Sequence, residues 1–365
     1  MKRIHFVFVI LGLLWISGIA LYMSSRQKVE QSIQEEQTKP IQGTRTDKKK
    51  LHCDYIDMVY TWVNGSDPKH IDSRTMRSGN TRHSSPGNNR YRDLMGLKYS
   101  LRSIKKFAPW IKNVWVVSAS QYPTWFDPSS DEVKFIFHED YYSNQDDLPT
   151  FNSNSIESNF YSLPKEVSDC FIYFNDDIFF GAPVSVSDFW DSDAGQAIYK
   201  SSWTAPQSKE KQSNIWHACI AYTNDLLNNI WEVDNKNRHY ASHGHQFFTR
   251  EIFDRMYQDL EPEFKKTSAN PFRTAHDLQI PFLYLAYVTR FYATYEPTPI
   301  NYYALIMDDH EKMKKEFAKI LAKKPKTVCL NDGLSPDKPN TKVVDELEKF
   351  FETYLPERGS WEKSN

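Results

Sequence analysis

Phe171-Ile172-Tyr173-Phe174-Asn175-Asp176-Asp177-Ile178-Phe179-Phe180 is the stretch on which the reading of this chain turns. An aromatic and β-branched run reads as a buried strand, two adjacent carboxylates end it, and a second apolar run follows at once. Ionised carboxylates beside a core need a counter-charge, and a divalent cation holding a diphosphate supplies one. The position suits a ligand, because open α/β sheets bind ligands at the carboxyl ends of their strands. A polar turn between two strands is the competing reading.

On the amino-terminal side, short β-branched and aromatic runs alternate with helical periodicity from Tyr55 onward, the pattern of a parallel α/β sheet. A first strand is expected over 55–63, closed by the turn formers Asn64-Gly65-Ser66-Asp67-Pro68, with a long polar loop over 69–90. Leu94, Leu97, Leu101, Ile104 and Ala108 repeat at helical spacing until Pro109 stops them, and Lys98, Arg102, Lys105 and Lys106 fall on the exposed face of that helix. Strands over 114–117 and 133–137 and a short helix through Ile156, Phe160 and Leu163 lead to the acidic strand. The second half is less regular: helices are expected over 247–257, over 280–295, and through Val344, Leu347, Phe351 and Tyr354.

At the amino terminus, 6–23 carries no charge and follows Lys2, Arg3 and His5, so it reads as a membrane-spanning signal anchor, with a cleaved signal peptide as the alternative. The expected organisation is a cytoplasmic tail at 1–5, the anchor at 6–23, a flexible stem at 24–50 and a catalytic domain at 51–365. The stem is rich in Gln, Glu, Lys and Thr and has too little apolar surface to fold. The 365 residues are 40% hydrophobic and 15% aromatic, enough for a sizeable core. With 45 basic and 47 acidic side chains the net charge is -2, which gives no bulk drive toward nucleic acid. Cys53, Cys170, Cys219 and Cys329 are too far apart for a close-spaced zinc site or a dense disulfide framework, and each reads as a buried thiol or a paired cysteine.

Further polar clusters supply the candidate chemistry. Glu157 follows Leu148-Pro149-Thr150-Phe151-Asn152-Ser153, with a capping or solvent-facing role as its bland alternative. His243-Gly244-His245 precedes Arg250, and Arg273 and Asp277 share one short segment. Histidine is suited to take a proton from a hydroxyl near neutral pH, and the guanidinium fork matches phosphate oxygens. Val328-Cys329-Leu330-Asn331-Asp332 repeats an apolar run ending in Asn-Asp, which completes a metal site or forms an ordinary turn.

In order and content these segments resemble the conserved blocks of the Stealth family of hexose-1-phosphate transferases. The first block is Ile56-Asp57-Met58-Val59-Tyr60-Thr61-Trp62-Val63-Asn64-Gly65-Ser66-Asp67-Pro68; the second runs from Leu97-Lys98-Tyr99-Ser100-Leu101-Arg102 to Asn175-Asp176-Asp177. The third spans His243, Arg250, Arg273 and Asp277, and the fourth joins Asn331-Asp332 to Ser360-Trp361-Glu362. Two departures stand out: Ser118-Ala119-Ser120 replaces the family's frequent Thr-Asn-Gly, and His243-Gly244-His245-Gln246 replaces His-x-Pro-His.

The resemblance implies a Rossmann-like, GT-A-like nucleotide-sugar core with an added helical portion, here preceded by the transmembrane helix. It implies attack by an acceptor hydroxyl on the β-phosphorus of a UDP-sugar such as UDP-N-acetylglucosamine, giving a phosphodiester and releasing UMP. On this reading His243, Asp177, Glu157 and Arg273 are catalytic, and Asp57, Asn64, Arg102, Arg250 and Asp277 bind the nucleotide sugar. Asp176, Asp177, Asn331 and Asp332 hold Mg2+ or Mn2+. The partners are the UDP-sugar, a glycan or glycoprotein acceptor and the membrane, with homo-oligomers left open. The setting is the Golgi lumen as a type II protein, or the envelope in a bacterial host. Alternatives are a metal-dependent glycosyltransferase releasing UDP and an inactive glycan-binding relative.

Overall fold

A computed structural model describes residues 48–79, 88–206 and 212–364. The chain divides after Lys48, and every element below belongs to Lys49–Asn365. Strand β1 (Ile56–Thr61) leads to helices α1 (Pro68–Arg77) and α2 (Gly96–Phe107), strands β2 (Val114–Ser118) and β3 (Val133–Phe137), and the short helices α3 (His138–Tyr141) and α4 (Ser153–Ser158). Strands β4 (Cys170–Asn175), β5 (Ile178–Phe180), β6 (Trp190–Asp191), β7 (Gly195–Ala197) and β8 (Lys200–Thr204) follow, then helix α5 (Ile215–Ile230) and strands β9 (His239–Ala241) and β10 (Gln246–Thr249). Helices α6 (Arg250–Ser268) and α7 (Ile280–Phe291), strands β11 (Thr294–Tyr295) and β12 (Asn301–Ile306), helix α8 (His310–Lys323), strand β13 (Thr327–Asp332) and helix α9 (Thr341–Tyr354) complete the order.

The central sheet runs β10-β4-β1-β2-β3, with β4, β1, β2 and β3 parallel and β10 antiparallel at one edge. Burial on both faces explains why its strands are continuously apolar. Val59, Val117, Phe171 and Tyr173 pack on one face with Phe253 of α6 and Leu283 and Tyr287 of α7. On the other face Met58, Tyr60, Val116, Ile172 and Phe174 meet Leu97, Leu101 and Ile104 of α2. A second sheet, β12-β13-β5, is covered by α8 and α9 through Phe317, Ile320, Leu347 and Phe351. The two sheets are joined by the two-residue turn Asp176-Asp177 between β4 and β5. A disulfide links Cys53 to Cys170 at the start of β4, while Cys219 and Cys329 are free and buried.

Several expectations need correction. Among the described residues no helix is long and apolar enough to cross a membrane, so a transmembrane helix is no part of the fold described; the apolar run 6–23 lies outside those residues, as does most of 24–50. Lys49 is already tied to the domain, its N–H donating to the carbonyl of Phe291 at 3.1 Å and its carbonyl accepting from Ala293 at 3.0 Å. The polar stretch after Pro68 starts as a helix, because Asp67 caps it by accepting from the Lys69 N–H and Pro68 presets its first turn. Phe247 and Phe248 lie in β10 rather than in a helix, which begins only at Arg250.

Arg102 is not on an exposed face. It is 4% exposed, and its Nε and Nη2 donate to the two carboxylate oxygens of Glu362 at 2.7 and 2.8 Å. Its Nη1 donates to the Leu355 carbonyl at 2.8 Å. The guanidinium therefore clamps the carboxyl-terminal segment onto α2 instead of serving a nucleotide. Replacing it leaves the buried Glu362 carboxylate with the Gly359 N–H at 3.0 Å and the more distant Arg358 at 3.6 Å and Lys98 at 3.9 Å. Arg102→Ala should lower unfolding free energy by about 3 kcal/mol in denaturant titrations. An unmoved transition with lost nucleotide binding would return Arg102 to the binding site.

Candidate functional site

The parallel strands β1 and β4 finish side by side, with Thr61 paired to Asn175. Just beyond them the chain must leave β4 and enter β5, which fixes Asp176 and Asp177 at the carboxyl edge. Gly96, opening α2, sits against this turn so closely that a Cβ there would lie 2.2 Å from the Asp176 carbonyl oxygen. From the other side β13 docks through its backbone, Leu330 N–H donating to the Asp177 carbonyl at 2.8 Å, and through Asn331 Nδ2, which donates to Asp177 Oδ2 at 3.0 Å. Asp177 Oδ1 is buried without a hydrogen-bond partner.

Burial, then the neighbouring charges of Asp177, Asp93 and Asp332, pushes the Asp176 carboxyl well above the usual carboxylate range. Asp332 is raised too, chiefly by burial, although Arg92 approaches it at 3.1 Å. Among the described residues no three His, Cys, Asp or Glu side chains are grouped as a metal cage. The orphaned Asp177 oxygen and the surplus of carboxyls nevertheless fit a hard cation completed by ligand oxygens.

Cys329 reaches the same turn from β13. Its Sγ donates to Asp177 Oδ2 at 3.4 Å and lies 3.4 Å from His243 Nδ1. Burial, and then the charge of Asp177, pushes the thiol well above its usual range, so it stays protonated. The carboxylate only accepts, so the S–H points to Asp177 and the sulfur accepts from Nδ1–H of His243. In the neutral imidazole with its proton on Nδ1, Nε2 is the acceptor at an exposed edge, the form a general base requires. His245, two residues on, is buried against Phe189 and Tyr199, and burial lowers it to about 4.

On the other side of β4, the Tyr173 hydroxyl lies 2.8 Å from Asn175 Oδ1, 2.9 Å from Thr61 Oγ1 and 3.1 Å from Glu157 Oε1. Burial pushes Glu157 up to about 7 against the opposing charge of Arg273. Arg273 contacts Ser153 Oγ at the start of α4. Its loop is folded by buried Asp277, which accepts from Asn152 Nδ2 at 2.8 Å, Asn270 Nδ2 at 2.6 Å and the Thr274 N–H at 3.0 Å. Asp277 is thus consumed in shaping the loop. Asn64 stays at the carboxyl edge, its N–H donating to Gln121 Oε1 at 3.0 Å. Ser120 nearby holds φ of 55°, the left-handed conformation that favours glycine, at a cost of about 1–2 kcal/mol.

Two other expected ligands lie at the opposite edge. Asp57, at the amino end of β1, accepts from Trp115 Nε1 at 2.8 Å, Asn113 Nδ2 at 3.0 Å and the Ser168 N–H at 2.9 Å. Arg250 donates to the carbonyls of Leu163 at 2.8 Å and Val167 at 3.0 Å, closing the loop before β4. Both serve the fold, as Arg102 does. Cys329 and Tyr173 were missed because thiols and tyrosines in apolar strands carry no signal beyond burial.

Four sequence profiles match the chain: Stealth protein conserved region 1 over 54–82, region 2 over 90–198, region 3 over 242–290 and region 4 over 318–365. The chain belongs to the Stealth family. It is 28% identical over 314 residues to an exopolysaccharide phosphotransferase of Streptomyces coelicolor, covering 84% of this chain and 57% of that protein. It is 29% identical over 330 residues to the exopolysaccharide phosphotransferase CpsY of Mycobacterium tuberculosis, covering 84% and 58%. The chain thus spans little more than half the length of these relatives. Among solved structures it is similar to the galactosyltransferase LgtC with donor and acceptor sugar analogs, at TM-score 0.41 and 10% identity over 84% of this chain and 98% of that one. It is also similar to the bifunctional glycosyltransferase WbbM, at TM-score 0.40 and 11% identity over 84% and 51%.

Glu157 gives this site a pH signature. A carboxyl raised from 4.5 to about 7 on folding leaves the native state holding the extra proton between those values, so stability falls as pH rises through them. The loss is roughly 3 kcal/mol. Glu157→Gln, neutral throughout, should therefore gain on the parent between pH 5 and 8 by that order in urea unfolding. A difference that does not change with pH contradicts the raised carboxyl.

Proposed function

We propose that this chain transfers a sugar 1-phosphate from a nucleoside diphosphate sugar, with UDP as the nucleotide, to a hydroxyl of an acceptor polysaccharide. The observation that carries the reading is the run of contacts from Asp177 Oδ2 through Cys329 Sγ to His243 Nδ1, which joins the carboxylate turn to an exposed imidazole. The names of the bacterial relatives support phosphotransfer as the reaction class.

In the proposed step the acceptor oxygen bonds to the β-phosphorus, the bond from that phosphorus to the bridging oxygen breaks, and UMP leaves with the electron pair. The acceptor proton passes to His243 Nε2. Arg273 supplies positive charge where phosphate oxygens gain negative charge. Glu157, at its raised pKa, stays poised between a hydrogen-bond donor and an acceptor beside Tyr173. Asp176, Asp177 and the amide oxygen of Asn331 would hold a divalent cation, Mg2+ or Mn2+, which when bound offsets the charge of the diphosphate. Asp332 is a lesser candidate because Arg92 already engages it.

Bacterial exopolysaccharide relatives favour an envelope polysaccharide as the acceptor over a Golgi glycoprotein. The Cys53–Cys170 disulfide is in keeping with an oxidising compartment.

A UDP-hexose labelled at the β-phosphate separates the reaction classes. Phosphotransfer puts label into the polysaccharide and releases UMP, and His243→Ala should reduce this by about 10²-fold or more while nucleotide binding persists. Acceptor-dependent release of UDP as the sole nucleotide product would replace the reading with glycosyl transfer.

A further inference from the structure

One guanidinium lies over a tyrosine at the carboxyl edge and two more act on it electrostatically, and two of the three take no part in the chemistry above. Tyr91 is 8% exposed and fixed in place: its carbonyl accepts from the Gly65 N–H at 2.8 Å, and its hydroxyl donates to the Phe151 carbonyl at 3.0 Å. A Cβ on Gly65 would fall 2.2 Å from the Tyr91 Cβ, so only glycine lets the loop after β1 lie this close. Arg74, from α1, places its guanidinium carbon 4.5 Å from the centre of the tyrosine ring. Arg74 Nη1 is buried with no hydrogen-bond partner. Arg90 precedes the tyrosine in the chain, and Arg273 acts on the same phenol electrostatically, as do Arg74 and Arg90.

Such a group of like charges is costly unless something compensates it. Partial desolvation, and then repulsion from Arg273, holds Arg90 below the usual arginine range although much of the side chain stays exposed. Among the described residues none of the three arginines is ion-paired to a carboxylate. Arg273 acts on Glu157, which burial raises to about 7, and the nearby Asp277 carboxyl is engaged by Asn152, Asn270 and Thr274. His70, packed 5.6 Å from the Tyr91 ring, is lowered to about 4 by burial and then by Arg74, so it adds no charge near neutrality. Arg90 is exposed and Arg74 and Arg273 are partly exposed, so the cluster is open to a ligand. Planar guanidinium forks match phosphate oxygens in pairs, and a tetrahedral anion can engage more than one fork.

We propose that Arg74, Arg90 and Arg273 form a phosphate-binding site over Tyr91, distinct from the carboxylate turn. The inference deepens the proposed function and rests on it for the source of the phosphate: the donor's diphosphate, or a phosphodiester already present in the acceptor chain. The class of ligand follows from the arginines themselves.

Calorimetric titration of the full chain in the presence of a chelator tests the site without turnover and without a cation at the carboxylates. The probes are inorganic pyrophosphate, UDP and a methyl phosphodiester of hexose 1-phosphate. Arg90→Gln, an exposed change that should leave melting unaffected, is expected to weaken at least one probe by about 10- to 100-fold. Arg74→Gln should do the same where it folds. Weakening confined to UDP and pyrophosphate identifies the donor as the source, and weakening confined to the diester identifies the acceptor. If no probe binds, or if Arg90→Gln leaves every affinity unchanged, the site is overturned. A protein that binds phosphate through these arginines yet releases only UDP in the labelled reaction loses the transferase reading and keeps the site.

Discussion

The turn Asp176-Asp177 is shared by two sheets, and this constraint governs the rest of the domain. With β4 and β5 separated by two residues, the central sheet and the β12-β13-β5 sheet cannot move apart without unravelling one of them. The Leu330 N–H on the Asp177 carbonyl and the missing side chain of Gly96 bring β13 and the start of α2 onto the same turn. A position determined from three directions can hold Asp176 in surroundings that raise its pKa, because the surrounding packing offsets the cost of desolvation.

Charge on this edge is sorted by side. Asp93, Asp176, Asp177 and Asp332 act on one another around the turn, with Arg92 on Asp332. Arg74, Arg90 and Arg273 act together around Tyr91. Neither group is neutralised by the other through a direct ion pair among the described residues. An edge with surplus negative charge at one place and surplus positive charge at another is poorly optimised for stability alone. On the proposed function, such an edge suits a ligand that carries phosphate oxygens.

Much of the scaffold was legible because a parallel sheet buried on both faces leaves unbroken apolar runs: the cores of β1 to β4 lie where Tyr60, Val116, Phe135 and Ile172 suggested. The misreadings have local causes. Polar composition hid α1 although Asp67-Pro68 is a helix start, and Phe247-Phe248 resembled the opening of α6 because a short apolar run fits either period. For the site, residue type indicated chemistry but not which end of a strand would carry it. Asp57 and Asp177 both neighbour apolar strand residues; one lies at the amino end of β1, where Trp115 and Asn113 satisfy it, and the other follows the carboxyl end of β4 with an oxygen unsatisfied. Arg250 and Arg102 likewise meet backbone carbonyls and a carboxylate that lie far away in sequence.

The contrast between His243 and His245 shows how narrowly such a site is specified. Two residues apart on the approach to β10, one imidazole is exposed and reaches Cys329, while the other is enclosed by aromatic rings and held neutral by burial. A serine at position 329 could also bridge Asp177 to His243, but as a smaller and better hydrated donor it would leave a different gap between β13 and the turn. The cysteine combines two properties: its volume fills an apolar strand position, and its weak S–H and soft lone pairs still orient a carboxylate on one side and an imidazole on the other. Packing and polar contact therefore rest on the same atom, and the strand that closes the second sheet is also the element that holds the Nδ1 edge of His243.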